Sequence, residues 1–278
     1  MKRGKQMSEY LYHYTNIETL LLILKNKTLA FNSLQNVDDL EECQSKDIQQ
    51  IGKICYVSCW TDDESESIPM WKMYTQNMQG VRIRLKKFPF KKYIFKCGQY
   101  HFKSDAETYI DYDKLYNDDK TTIAGEPQLV KVVYTDDENL IYPTVKSMKE
   151  EIKKLDDGNI QRSMLKNYSF SQIGKYKRKN WEFQHEVRYI INMSLWSMKE
   201  LENCKNTDDQ LKLIDRLEDI KYKAPYNLFF LNLTDEALND LEILLGPKIT
   251  EAQMELVKLI VEKYCPSAKI IKSNLKIR

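Results

Sequence analysis

Residues 181–189 (WEFQHEVRY) hold three residue types suited to chemistry at alternate positions, namely an amide, a carboxylate and a guanidinium. Strand periodicity predicts that Gln184, Glu186 and Arg188 lie on one face of a strand. A carboxylate flanked by those two groups is expected to be ionised and held in a fixed orientation. The alternative interpretation is a surface ladder of polar residues on a half-exposed strand.

Two further segments contain candidate binding residues. His13, in residues 11–15 (LYHYT), ends an apolar strand just before a helix cap, where ligands often meet backbone amides and a helix dipole. Ser58 precedes Trp71 and Tyr74, whose rings at i and i+3 are spaced to stack on a base or another ring. The alternatives are a structural histidine and aromatic residues of the core.

Several common site types have no matching pattern in the sequence. The motifs GxGxxG, GxxxxGK[ST], GxSxG and HExxH are absent, which excludes the usual dinucleotide, P-loop, hydrolase and zincin signatures. Cys97 and His101 have a spacing that a metal could use, but no second pair follows, so no metal is predicted. Cys55 and Cys59 are about 13 Å apart on a predicted strand, too far for a disulfide. We therefore expect reduced cysteines.

Composition limits the class of protein further. The chain has 278 residues, 42% of them hydrophobic, with 43 Lys and Arg against 41 Asp and Glu. This composition predicts a folded protein, and the charge balance argues against a dedicated nucleic-acid binder. The apolar runs are far shorter than the ~18 residues of a membrane helix, and the basic start lacks the apolar segment of a secretory signal. The sequence predicts a cytoplasmic protein with no membrane segment.

Capping signals and apolar periodicity predict helices. A helix is expected after a cap at Thr15, with Glu18 completing a capping box, and a last helix after Thr250. In that last helix Gln253 completes the box. Two more helices are predicted at residues 70–76 and 142–155.

The strand pattern predicts the fold class. Irregularly spaced strands without a βαβ rhythm indicate one α+β domain over residues 1–278, with residues 88–165 as an elaboration. The predicted strands cover residues 8–14, 28–33, 54–60, 81–85, 128–134, 181–193, 228–233, 240–245 and 268–271.

Several stretches together resemble a widespread bacterial family of uncharacterised domains grouped with the ADP-ribosyltransferase superfamily. In chain order they are LYHYTNIETLLLILKNKTLAFNS, YVSCWT, PMWKMYTQNMQGVRIRL, KNWEFQHEVRYI and LEILLGPKIT followed by AKIIKSNLK. The first also resembles the opening strand and helix of DNA-targeting ADP-ribosyltransferase toxins. The resemblance implies an ADP-ribosyltransferase-like pair of mainly antiparallel sheets with flanking helices, and an NAD-binding cleft between the sheets.

The resemblance also implies roles for individual residues. Glu186 matches the catalytic glutamate of the superfamily, and His13 matches the first-strand residue that holds an NAD ribose, with Tyr14 and Thr15 in the same segment. Ser58, Trp71 and Tyr74 match elements that line the nicotinamide side.

Two positions near the catalytic glutamate leave the acceptor open. Gln184 departs from the family, whose members often carry Glu there, so that this chain has Q-x-E in place of E-x-E. In relatives that position helps to select the acceptor. Arg188 matches a family position with no assigned role.

These residues suit the cleavage of NAD. Breaking the bond between ribose C1′ and nicotinamide passes through an oxocarbenium-like state, which a fixed carboxylate stabilises without a metal. We therefore expect NAD-dependent ADP-ribosyl transfer to a protein or nucleic acid, as a bacterial toxin or anti-phage effector. The alternatives are an NAD glycohydrolase and a non-catalytic module that binds nucleic acid or protein through the Lys-rich residues 86–96 and 175–179.

Overall fold

The computed structural model describes residues 8–123, 125–154 and 160–277. The first seven residues, where no secretory signal is predicted, lie outside this part, as does residue 155 of the helix predicted at 142–155. The strands are β1 (Tyr10–Thr15), β2 (Thr28–Ser33), β3 (Cys55–Thr61), β4 (Val81–Lys86), β5 (Tyr93–Phe95), β6 (Ala106–Thr108), β7 (Gln128–Lys131), β8 (Val133–Tyr134), β9 (Lys146–Lys154), β10 (Ile160–Tyr168), β11 (Tyr176–Lys177), β12 (Glu186–Asn192), β13 (Leu228–Asn232), β14 (Glu242–Leu245) and β15 (Lys269–Lys272).

Helices and short 3₁₀ turns connect these strands. The helices are α1 (Ile17–Asn26), α2 (Ile68–Tyr74), α3 (Tyr112–Asp118), α4 (Glu138–Ile141), α5 (Met198–Glu202), α6 (Thr207–Asp215), α7 (Asp235–Asn239) and α8 (Glu251–Tyr264). The 3₁₀ turns are Leu34–Asn36, Leu40–Cys43, Ile51–Ile54, Gln99–His101 and Lys179–Gln184. In the described part of the chain, no helix is both long enough and apolar enough to cross a membrane.

Nine of the strands form one large, mainly antiparallel sheet. Seven of them follow the order β13-β2-β3-β1-β4-β14-β15, and β12 pairs with β3 on one side and β7 on the other. Strands β14 and β15 pair in parallel. The structure confirms the mixed α+β class that the sequence predicts.

Strand β3 is the place where this sheet divides. Strand β12 pairs along the whole of one edge, at residues 55–61. On the other edge β2 pairs at Tyr56 and Val57, and β1 pairs at Thr61. Among the described strands none pairs with this second edge at residues 58–60. Strands β1 and β2 therefore diverge there and leave a gap between them.

Helix α1 covers one face of the sheet and packs against α8. Leu20 and Leu24 of α1 and Val257 and Ile260 of α8 are buried in the main hydrophobic core. A buried Leu side chain contributes about 1.5–3 kcal/mol relative to an exposed one. This packing holds α1 beside the gap, because the helix follows directly after β1.

The cap of α1 differs from the prediction. Thr15 is still part of β1, where it pairs with Val81, so Asn16 is the N-cap and its side chain accepts a hydrogen bond from Thr19 N at 2.7 Å. The predicted box at Thr15 is wrong because tertiary pairing extends the strand by one residue. The box at Thr250 and Gln253 is confirmed.

The helix predicted at 142–155 is also wrong. The structure has the short helix α4, which ends at Ile141, and then strand β9, which pairs with β10. Pro143 explains the end of the helix, because proline disfavours a helical conformation at the residue before it. The hairpin partner then determines the extended backbone.

Candidate functional site

A cavity of about 330 Å³ lies at the gap between β1 and β2. This volume is near the lower end of the roughly 300–1,000 Å³ of small-molecule sites. The lining residues are Tyr12, His13, Tyr14, Thr19, Ile23, Leu29, Ala30, Asn32, Asn36, Val37, Asp38, Glu42, Val57, Ser58, Cys59, Trp60, Met70, Tyr74, Lys177, Gln184 and Glu186.

Most of the residues selected from the sequence meet in this cavity. Those that line it are His13, Tyr14, Ser58, Tyr74, Gln184 and Glu186. They come from β1, β3, α2, the 3₁₀ turn at Lys179–Gln184 and the first residue of β12. The fold thus brings the first strand of the sheet together with a segment far along the chain.

Thr15, Trp71 and Arg188 are placed elsewhere. Thr15 is buried at the end of β1, away from the lining. Trp71 is fully buried against the edge of the Tyr14 ring, at 4.9 Å between centroids, so it has the place of a core aromatic. Arg188 is fully buried and binds the Glu186 carboxylate. Of the predicted aromatic pair, only Tyr74 borders the cavity.

A kink in the backbone orients Glu186. The predicted strand at 181–193 is wrong in its first part, because residues Lys179–Gln184 form a 3₁₀ turn and β12 begins only at Glu186. His185 between them has a left-handed backbone (φ 43°), and its carbonyl accepts a hydrogen bond from Thr61 Oγ1 at 3.0 Å. Gln184 and Glu186 therefore share the cavity because of this kink, and not because of strand alternation.

The Glu186 carboxylate is held by two cations. Its Oε1 accepts hydrogen bonds from Arg188 Nε at 2.7 Å and lies 2.6 Å from the Arg188 Nη2. Its Oε2 accepts one from Lys177 Nζ at 2.7 Å. Burial alone would raise the pKa of Glu186, but the charges of Arg188 and Lys177 outweigh burial and lower the pKa to about 2. Glu186 is therefore an ionised, fixed carboxylate at neutral pH.

Glu42 completes a buried network of two acids and two bases. It pairs with Arg188 through Oε2 and with Lys177 through Oε1, the latter at 3.1 Å. None of the four side chains is more than 8% exposed. Burial disfavours the Lys177 ammonium, but Glu186 and Glu42 outweigh it and raise the pKa of Lys177. The network is charge-balanced, as buried ions require.

The amide of Gln184 is bonded at both ends. Its oxygen accepts from Lys177 Nζ at 3.0 Å, and its nitrogen donates to Tyr74 Oη at 2.7 Å. Burial raises the pKa of Tyr74, so its hydroxyl stays neutral. Tyr74, Gln184, Lys177 and Glu186 therefore form one continuous chain of hydrogen bonds along the cavity wall.

His13 is a neutral imidazole in this setting. Its Nδ1 lies 2.8 Å from the Cys59 carbonyl oxygen and must carry the hydrogen there, which leaves Nε2 as an acceptor. Burial lowers the pKa of His13 below 6.5, although the bond to Cys59 opposes this. Burial also raises the pKa of the Cys59 thiol well above its usual range. Cys59 is therefore a protonated thiol and a poor nucleophile.

Comparison with known protein families gives a match for the part of the chain that supplies several residues of this site. Residues 70–189 match the family model described as "Protein of unknown function (DUF2971)". No curated protein and no solved structure gives a significant match. The DUF2971 domain runs from α2 into β12, so it includes Tyr74, Lys177, Gln184 and Glu186. The family description assigns no activity, and function must be argued from the geometry.

The site also contains residues outside the DUF2971 region. His13 and Ser58 precede it, and so do Asp38 and Glu42 of the segment after β2. Sequence reasoning missed Glu42, Asp38 and Lys177, because an isolated acid in a polar stretch or a lysine in a basic run resembles ordinary surface. Charge balance was the one indication of these residues in the sequence, because an ionised Glu186 and a buried Arg188 need oppositely charged partners.

The lysine-rich segments proposed for nucleic-acid or protein binding are largely paired within the chain. Six cations of residues 86–96 and 175–179 pair with acids: Lys86 with Asp240, Lys92 with Glu107, Lys96 with Asp105, Lys177 with Glu186, Arg178 with Glu41 and Lys179 with Asp136. Cations neutralised in this way contribute less to phosphate binding. Binding of nucleic acid or protein through these segments stays a prediction.

Cys97 and His101 do not converge on a common point. Cys97 Sγ contacts the Lys103 carbonyl oxygen, and His101 Nε2 lies 2.8 Å from a Glu202 carboxylate oxygen. Over the described ranges, no group of three or more His, Cys, Asp and Glu side chains is placed to hold a metal ion.

Proposed function

We propose that the cavity binds NAD and that the protein transfers ADP-ribose from NAD to a macromolecule, either protein or nucleic acid. One observation carries the proposal: His13 of β1 and Glu186 of β12 line the same cavity. The division of the sheet at β3 supports an ADP-ribosyltransferase-like arrangement of two sheet branches around a cleft. A toxin or anti-phage role rests on the family resemblance described above.

Glu186 is the proposed catalytic residue. When the bond between C1′ and the nicotinamide nitrogen breaks, its electron pair leaves with nicotinamide and the ribose becomes positively charged. A carboxylate has about four lone-pair sites. Arg188 donates to Oε1 through Nε, its Nη2 lies 2.6 Å from the same oxygen, and Lys177 donates to Oε2 at 2.7 Å. The remaining lone pair of Oε2 can accept a hydrogen bond from a ribose hydroxyl, which would bring the ribose against the fixed charge.

His13 and Tyr74 are the proposed ligand-binding residues. The neutral His13 has Nε2 as an acceptor, which suits a ribose hydroxyl. Tyr74 accepts a hydrogen bond from Gln184, and its own O–H is left as a donor for the carboxamide of nicotinamide. Ser58 lies on the same wall, where its hydroxyl accepts from Trp60 Nε1 at 3.1 Å.

Hydrolysis of NAD is the second candidate, and the state of Gln184 favours it. Both ends of its amide are engaged by Lys177 and Tyr74, and an amide does not act as a general base. The position that carries a second Glu in relatives therefore offers no carboxylate for an acceptor. Water would then accept the ribosyl group, and the products would be nicotinamide and ADP-ribose.

Turnover of labelled NAD tests the proposal. Purified protein with NAD and a cell lysate is expected to release nicotinamide and leave label on protein or nucleic acid, whereas hydrolysis leaves the label as free ADP-ribose. His13→Ala is expected to reduce release by about tenfold or more, because one hydrogen bond to a bound ligand contributes about 0.5–1.5 kcal/mol and the binding geometry is also lost.

His101→Ala is the matched control, because this exposed histidine lies away from the cavity lining. Equal turnover of the His13 and His101 variants would remove His13 from the mechanism. Absence of nicotinamide release, together with no rise of the melting temperature in NAD, would refute the proposed function, since a ligand of the folded state must stabilise it.

A further inference from the structure

The charges around the cavity leave one carboxylate without a partner. The ionised groups of its lining are Asp38, Glu42, Lys177 and Glu186, with Arg188 directly behind. The two glutamates are balanced by Lys177 and Arg188. Asp38 is exposed, and no cation or hydrogen-bond donor among the described residues binds its carboxylate. The cavity therefore has a surplus of negative charge.

Lys177, the cation among the described lining residues, is already paired with two carboxylates. The Lys177 ammonium donates hydrogen bonds to Glu186 at 2.7 Å and to Gln184 at 3.0 Å. It also forms an ion pair with Glu42 Oε1 at 3.1 Å, although that oxygen has no hydrogen-bond partner in the described part of the chain. The N-terminus of α1, another possible anion site, already directs Thr19 N at the Asn16 side chain. A diphosphate inside the cavity would therefore compete with Glu186 and Glu42 for Lys177 and would meet the negative charge of Asp38.

The aromatic side chains favour a cation in the same space. Trp60 and Tyr74 are among the lining residues, and an aromatic face attracts a cation by about 0.5–2 kcal/mol. Burial raises the pKa of the Tyr74 hydroxyl, the charge of Lys177 lowers it, and the charges of Asp38 and Glu186 add to the rise. The free carboxylate therefore acts on the part of the cavity that a ring would occupy.

We infer that the cavity admits the cationic nicotinamide riboside half of NAD and leaves the diphosphate and the adenosine outside. Phosphate-free nicotinamide riboside is then a ligand of the same site. The inference rests on the proposed function for the identity of the base, and it adds a substrate class, the cationic pyridinium ribosides. It also makes Asp38 a specificity-determining residue.

Calorimetric titration of the whole protein with four probes tests this inference. Nicotinamide riboside is expected to bind with a Kd within about tenfold of that of NAD. ADP-ribose, which lacks the cationic ring, is expected to bind about tenfold or more weakly than NAD. The fourth probe is dihydronicotinamide riboside, which has nearly the same shape and a neutral ring.

Asp38→Asn is expected to weaken the binding of nicotinamide riboside by about two- to fivefold, the effect of one exposed charge. Binding of the neutral dihydro form is expected to stay unchanged. Asp208→Asn is the matched control, because Asp208 is exposed on α6 and lies outside the lining.

Tight binding of NAD without binding of the riboside would overturn the inference and leave the proposed function intact. If ADP-ribose bound as tightly as NAD, the inference would also be overturned, and the proposed function would remain intact. Riboside binding without turnover of NAD would support the inference and count against the proposed catalysis. If neither NAD nor the riboside binds, both are refuted.

Discussion

Replacement of Glu186 by glutamine removes one of the two carboxylates from the buried network with Lys177, Arg188 and Glu42. A purely catalytic role of Glu186 would make this replacement reduce turnover with little change in stability. The structure gives a different expectation. Two cations would remain against the single charge of Glu42, and all of them are buried.

The size of the effect follows from the contacts that are lost. Glu186 accepts from Arg188 Nε at 2.7 Å and from Lys177 Nζ at 2.7 Å, and hydrogen bonds to charged groups contribute about 1.5–3 kcal/mol each. The glutamine amide presents N–H groups to one of these donors, so at least one bond becomes a donor–donor contact. Breaking a buried ion pair costs about 3–5 kcal/mol, and we expect Glu186→Gln to lower the free energy of unfolding by this amount.

Equilibrium unfolding in urea at neutral pH, followed by tryptophan fluorescence and circular dichroism, measures the change. Glu182→Gln is the matched control, because Glu182 is exposed in the same segment and its replacement is expected to change stability by less than about 0.5 kcal/mol. The double variant Glu186→Gln with Lys177→Met restores the charge balance around Arg188. A double-mutant cycle should give a favourable coupling of about 1–3 kcal/mol.

Two results would refute this reasoning. One is a Glu186→Gln protein as stable as the Glu182→Gln control, and the other is strict additivity of the changes at residues 177 and 186. Either would mean that the network is solvated and that the positions of its charges do not matter. The same experiment shows whether lost turnover in a Glu186 variant reflects chemistry or unfolding.

Two further predictions concern the ionisation of Glu186 and the backbone kink at His185, the residue before it. The pKa of Glu186 in the folded protein is about 2, below its usual 4.5. The ionised carboxylate therefore contributes on the order of 3 kcal/mol to the free energy of unfolding above pH 4.5, and this contribution is lost as the pH falls toward 2. The difference in unfolding free energy between wild type and Glu186→Gln should narrow over that range, and a constant difference would contradict the assignment. His185 has a left-handed backbone and an exposed side chain, so His185→Gly should stabilise the protein by about 0.5–1 kcal/mol and His185→Val should destabilise it, as thermal melts can measure. A less stable His185→Gly would contradict this.

Features fixed by nearby residues could be predicted from the sequence. The capping box of Thr250 and Gln253 involves only neighbours in the chain. The helix predicted at residues 70–76 corresponds to α2, at Ile68–Tyr74. The central strands have the apolar and β-branched pattern of buried strands. The α+β class followed from these local signals, and the resemblance to an uncharacterised family is matched by the DUF2971 domain at residues 70–189.

Features fixed by distant residues could not be predicted. Asn16 takes the cap of α1 because β4 extends β1 by pairing at Thr15. The Trp71 ring is buried against Tyr14, and periodicity along α2 does not distinguish that environment from a ligand site.

The candidate site shows the same limit. The sequence selects His13 and Glu186, but the cation that holds Glu186 from the cavity side is Lys177, in a segment that resembles a solvated basic run. Its identification required the positions of Glu42 and Gln184. The partners within a buried charge network depend on which side chains are close in three dimensions. The sequence shows only that a buried charge needs a partner, not which residue it is.

The division of the sheet at β3 has a consequence for the synthesis of the protein. The ribosome synthesises one wall of the cavity early, when it makes β1, and the other wall only when it reaches β12. At roughly 5–20 residues per second, the second wall follows about ten to thirty seconds later. A nascent chain that has not passed residue 177 lacks Lys177, Gln184 and Glu186. The site therefore matures late in translation, after the first three strands of the sheet have left the ribosome.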